Sequence, residues 1–324
     1  MIKPNLTIEV NGLSEENEKQ AAKAITAILK GLIEVYGDSL DLSMLDRIIL
    51  STKFNEALAQ ITVEFALGEP LSFTKTKHSL GVGQVVMIPE PSPKILLLLN
   101  AAFVSACLKS NATDDILTLD ELIHLFHHEL SHVHDYTKRF NLNKSPDNEK
   151  AQFKDELLVP MIKTCWAEYW ANFFSARTAP KEFIVSKANS LMKAIPRIDK
   201  EIGKLRAAFL EKTMSIEQVV NRFSKEEGLF LIREAAYLAG YLDGLKKPLG
   251  YFSYELKRLL QSSYFLETWI SLRKDLKTMR KQYPNSFEST KIYSKVKLTI
   301  ESYFNIMGFE LENVTGGTFV RVIR

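Results

Sequence analysis

Five of the six histidines, His124, His127, His128, His132 and His134, fall within eleven consecutive positions. Inside that run stands His128-Glu129-Leu130-Ser131-His132, an H-E-x-x-H pattern. On a helix, residues advance by about 100°, so His128 and His132 stand about 40° and one turn apart, close enough for both imidazoles to reach one Zn²⁺. Glu129 lies about 100° from His128, at the edge of that face, where a carboxylate can take a proton without ligating the ion. The chemistry this spacing suits is metal-assisted hydrolysis. The ion would bring the pKa of a water towards about 7, Glu129 would act as general base, and the metal would steady the oxyanion formed at the attacked carbonyl.

Two imidazoles leave a catalytic zinc short of one protein ligand. A histidine six residues after His132, preceded by a glycine, would supply it in some zinc peptidases, but positions 135 and 138 are Asp and Lys. The better source is a carboxylate on a second helix. In the stretch from Cys165 to Arg177, Glu168 is the sole acid among Trp166, Tyr169, Trp170, Phe173 and Phe174. A lone carboxylate on an apolar helix is costly unless it is paired or metal-bound. Asp135 is its rival, being one turn beyond His132 on the same face, and Asp155 and Glu156 follow. Asn172, His124 and Asp135 are also spaced to hydrogen-bond a ligand. Tyr136, Tyr169 and His78 are candidate donors to the oxyanion. His127 and His134 point away from the metal face, to structural or solvent-facing positions.

The elements needed to hold these residues are legible around them. Thr118-Leu-Asp-Glu121 is a capping box that opens the histidine helix, which runs to about Lys138, with Leu122, Phe126, Leu130 and Val133 as its apolar back. Ser14 to Gly37 reads as an earlier helix, with an acidic first turn and a glycine stop. Between the two, Arg47–Ser51, Ile61–Phe65, Gln84–Ile88 and Lys94–Leu99 are short β-branched or apolar runs separated by Gly and Pro, the pattern of a small sheet. From about Ala151 onward the pattern is helical, with interruptions expected at Pro160, Pro180, Pro196, Pro248 and Pro284 and a second capping box at Ser215–Gln218. The last residues suggest a hairpin.

Taken together, HHELSHVHD and AEYWANFFSA, preceded by ILLLLN, resemble the zincin metallopeptidases, specifically the gluzincin branch whose third ligand is a glutamate. The E-x-x-A-N-x-F of the second helix is similar to that of the ImmA/IrrE-like small zincins. The resemblance covers roughly residues 45–178. It implies His128, His132 and Glu168 as zinc ligands, Glu129 as the catalytic glutamate, and a protein or peptide as substrate. It also implies an α+β fold: a zincin-like core of small twisted sheet and two metal-binding helices, followed here by a mainly α-helical region. The domains expected are 1–180 and 181–324. The rival readings are a non-catalytic regulatory or interaction protein that keeps zinc for structure, and a hydrolase of non-peptide amides.

Charge separates the halves further, since residues 1–180 carry a net −6 and residues 181–324 a net +9, concealed in a total of +3. In the basic half Arg273, Lys277 and Arg280 share one helix face. Docking of an acidic partner is one reading of that face and a solvated surface is the other. No nucleic-acid motif accompanies it. With 324 residues and 46% hydrophobic content the chain can bury a substantial core, and 14 glycines and 11 prolines are too few for a collagen-like or low-complexity chain. Two cysteines make no disulfide framework, so a reducing cytoplasm is the expected compartment. The most apolar stretch, Ile95–Leu108, falls short of the roughly 20 residues a membrane span needs, and no secretory signal is expected at the start.

Overall fold

A computed structural model describes residues 6–68, 75–76, 79–80, 82–88, 92–109, 118–142, 153–288, 290–314 and 317–322. The fold is α+β, and the chain divides into two compact units, residues 1–141 with 178–180 and residues 142–177 with 181–324.

The first unit runs β1 (Thr7–Asn11), α1 (Glu15–Tyr36), β2 (Leu45–Ser51), α2 (Phe54–Glu64), β3 (Lys75–Thr76), β4 (Ser79–Leu80), β5 (Gly83–Ile88), β6 (Lys94–Asn100), α3 (Ala101–Lys109) and α4 (Leu119–Leu142). Four strands form a mixed sheet in the order β1-β2-β6-β5. The first three are parallel, and β5 runs antiparallel to β6 at the edge, with Gly83 opposite Leu99 and Ile88 opposite Lys94. Successive strand residues face opposite sides. Ile49, Val86, Ile88, Leu96 and Leu98 meet Phe54, Ala57, Leu58 and Ile61 of α2 on one face. Ile48, Leu50, Ile95, Leu97 and Leu99, all but inaccessible, form the other.

The run Ile61–Phe65, read above as a strand, belongs instead to α2 and the turn that ends it. The spacing of Phe54, Ala57, Leu58 and Ile61 is helical, and all four are buried, whereas Val63 is exposed. Burial of that stripe outweighs the β-branched propensity of three residues. β1 and α3 were not foreseen. The capping box of α4 forms as expected: the Thr118 N–H donates to Glu121 Oε2 at 2.8 Å, and the Glu121 N–H donates to Thr118 Oγ1 at 3.2 Å.

The second unit runs α5 (Phe153–Ser175), α6 (Lys181–Leu210), α7 (Ile216–Arg222), α8 (Gly228–Gly244), α9 (Tyr254–Gln261), α10 (Leu266–Gln282), α11 (Ser294–Ile306) and the hairpin β7 (Phe309–Val314)–β8 (Gly317–Val322). By packing, α5 groups with these helices, although it lies before residue 180 in the chain. Pro160 and Pro196 do not interrupt: they lie inside α5 and α6. Each removes one backbone donor, but buried Leu158, Met161 and Ile162 flank the first and Ala194, Ile195 and Ile198 the second. Tertiary burial holds these helices through the lost bond.

α8 packs directly on α5 through two glycines one turn apart. A Cβ on Gly240 would stand 2.5 Å from the Tyr169 carbonyl oxygen, and one on Gly244 would stand 2.5 Å from that of Phe173. Gly240→Val is therefore expected to force the two helices apart and to cost about 1–3 kcal/mol in urea unfolding. A variant as stable as the parent would show that this close approach does not hold.

Candidate metal centre

α4 is anchored around its histidines. The Asp41 N–H donates to His134 Nδ1 at 2.8 Å, and Lys138 pairs with the Asp41 carboxylate at 2.9 Å. His127 packs against the Tyr36 ring, with centroids 4.4 Å apart. The Thr178 hydroxyl lies 3.2 Å from His124 Nδ1 and 3.1 Å from His127 Nδ1. A hydroxyl has one proton to give, so at least one of these rings donates its own N–H to Thr178. His124, His127 and His134 are all buried, so the solvent-facing alternative for His127 and His134 does not hold.

Burial drives the imidazoles of His127 and His134 down to about 4. The neighbouring His128 adds to this at His127. At His134, Asp135 and Asp41 pull the other way and Lys138 reinforces the shift. The consequence for stability has a definite sign. An unfolded chain protonates these rings below about 6.5, whereas the folded chain keeps them neutral until about 4. Metal-free protein should therefore lose stability as the pH falls from about 6.5 to about 4, with His134 contributing at most about 3 kcal/mol. His134→Asn keeps an acceptor for the Asp41 N–H but cannot titrate, so its stability should fall less steeply across that window. Parallel curves for variant and parent would refute the assignment.

His128 and His132 present their Nε2 atoms to each other at 3.1 Å, with the rings nearly perpendicular. Two nitrogens each about 2.05 Å from a tetrahedral zinc would be separated by about 3.3 Å, so the pair has the spacing of a chelate. Glu168, the third ligand expected from the sequence, stands on α5 of the second unit. Two imidazoles and a carboxylate are the donor set of a catalytic zinc site.

Within its own unit, Glu168 is bonded by the Tyr237 hydroxyl of α8. Burial, and then the charge of Glu168, push that phenol well above its usual range, so Tyr237 stays a neutral donor. Tyr237 was not singled out from sequence, although its place on an almost wholly apolar helix is a signal that its hydroxyl needs a partner.

The other candidates fall elsewhere. Asp135 is almost fully buried, and its Oδ2 accepts from Arg139 Nε at 2.9 Å and Nη2 at 2.7 Å. Asp155 pairs with Lys297, and Glu156 is exposed. Asn172 is fully buried where α8 approaches α5; a Cβ on Gly240 would stand 2.9 Å from its own Cβ. Tyr169, proposed as an oxyanion donor, instead donates to Asp243 Oδ2 at 2.8 Å in the core of the second unit. Tyr136 lies half-buried with the Arg139 guanidinium over its ring. His78 is outside the described residues.

Glu129 is buried and stands against the edge strand: a Cβ added to Gly83 would lie 2.7 Å from its carboxyl carbon. No other strand pairs with β5 among the described residues apart from β6.

The basic face of α10 is largely internal. Arg273 gives Nε and Nη2 to Asp243 Oδ1 at 3.0 and 2.6 Å, and the Arg280 guanidinium lies 4.2 Å from the Phe173 ring centroid. Of the three, Lys277 is exposed, whereas Arg273 and Arg280 are half-buried and engaged within their own unit. Among the described residues, no helix is long and apolar enough to cross a membrane. No protein-family model matches the chain, and no curated protein or solved structure matches it.

Proposed function

We propose that this chain is a zinc-dependent peptidase of the gluzincin type, with a zincin-like core, acting on a protein or peptide in the cytoplasm. The observation that carries the reading is the approach of His128 Nε2 and His132 Nε2 to 3.1 Å on α4, the spacing of a zinc chelate, with Glu168 as the third ligand expected from the sequence. These three residues would hold the ion. Bound there, zinc supplies Lewis acidity, which polarises a carbonyl and acidifies water.

The protein's own groups do the rest. Glu129 follows His128 on α4, at the edge of the face that carries His128 and His132, where its carboxylate would accept a proton from the attacking water. Burial against β5 limits the orientations that carboxylate can take. The outer edge of β5 offers backbone N–H and C=O groups to an extended peptide, which would add as a further strand. Tyr237, hydrogen-bonded to Glu168, holds that carboxylate in one orientation.

The test is metal analysis together with incubation of the zinc-loaded protein with casein and mass spectrometry of the products. One zinc per chain and new peptide termini are expected. Zinc without cleavage would turn the reading towards a non-catalytic zinc protein, and absence of zinc would overturn it.

A further inference from the structure

Gly83 is the first residue of edge strand β5. It does not adopt the left-handed backbone that favours glycine, and it pairs regularly with Leu99 of β6, so a side chain there would meet no backbone obstacle. What a side chain would meet is Glu129. An added Cβ would fall 2.7 Å from Glu129 Cδ and 2.8 Å from both Cγ and Oε1. Atoms so placed cannot coexist; the Glu129 side chain occupies the space that any other residue at 83 would fill.

The pleat explains why this position matters and its neighbours do not. Val86 and Ile88 point to the α2 face. Gly83 has the opposite parity to both and, across the ladder, shares a face with Leu99. Glu129 approaches on that face, at the end of the strand where the glycine stands. At this end of the strand the group that approaches the glycine closely is the Glu129 carboxylate.

We propose that Gly83 is a positioning residue for Glu129: its missing side chain leaves the slot in which the carboxylate stands against the edge strand. The proposal's catalytic consequence rests on the peptidase reading, but the contact itself does not. Any side chain at 83 turns the Glu129 carboxyl away from the strand edge, and with it away from a peptide paired to that edge.

A double-mutant cycle tests the contact without metal or substrate. Thermal unfolding of chelator-treated protein is compared for the parent, Gly83→Ala, Glu129→Ala and the double variant. In a strand of ordinary backbone, alanine alone should be neutral or slightly stabilising. Gly83→Ala is instead expected to lower Tm in the parent and to lose that effect in the Glu129→Ala background, where the clashing atoms are gone. If Gly83→Ala does not fold, recovery of folding in the double variant is the same result. Additive effects, or a double variant that also fails to fold, overturn the proposal.

The second readout is casein cleavage by zinc-loaded Gly83→Ala at unchanged zinc content. Here kcat should drop on the order of 100-fold with KM little moved, the signature of a misplaced catalytic group. Unchanged kcat overturns the positioning role. If the parent itself leaves casein intact, the peptidase reading fails, and the cycle alone decides Gly83.

Discussion

Glu129→Gln is expected to retain one zinc per chain and to lose cleavage of casein by a factor on the order of 10²–10⁴, the span that a positioned general base contributes. The substitution is nearly isosteric, so the amide should fit beside Gly83 as the carboxylate does, and folding should be unaffected. What it removes is the ability to accept a proton. Zinc should stay because its proposed ligands are His128, His132 and Glu168, not Glu129. His132→Ala provides the contrast: it deletes a ligand, so zinc and activity should vanish together. Cleavage by Glu129→Gln within a few-fold of the parent would assign the proton transfer to another group.

Arg273→Ala should be the most damaging substitution in the basic half, costing about 3–5 kcal/mol of stability. The Asp243 carboxylate is almost fully buried and is held by two Arg273 nitrogens and the Tyr169 hydroxyl. Without the guanidinium, a buried negative charge keeps one neutral donor and loses its counter-ion. Lys277→Ala, on the exposed part of the same helix, should stay within about 0.5 kcal/mol of the parent. Urea unfolding of the two variants side by side decides the matter. Equal, small effects would mean that the Arg273–Asp243 pair contributes little. A shortened Arg273→Met/Asp243→Leu pair, which removes both charges, should recover most of the loss.

The histidine helix shows how far local pattern reaches. Its capping box, its apolar back and the one-turn spacing of His128 and His132 are all properties of consecutive residues on a regular helix, and the structure contains each of them. β2, β5 and β6 were legible for a similar reason: short apolar runs between Gly and Pro breaks have few alternatives. The Ile61–Phe65 run was misread because β-branched residues satisfy two patterns, and only the buried stripe beginning at Phe54 distinguishes them. Pro160 and Pro196 misled in the opposite direction, since packing around them replaces what the missing N–H removes.

By itself the sequence determined which residues could carry chemistry, because helical geometry places His128, Glu129 and His132 relative to one another over a single turn. It could not show that Arg273 is engaged by a buried Asp243, or that Gly83 stands against Glu129. Those outcomes depend on groups far away in the chain. Residues distant in sequence meet only through tertiary packing, and no local periodicity encodes which of them will be neighbours. Arg273 meets Asp243 from 30 positions along the chain, and Gly83 makes room for Glu129. Local spacing shows which chemistry one helix could carry, and burial with long-range pairing decides which charges are held inside the protein.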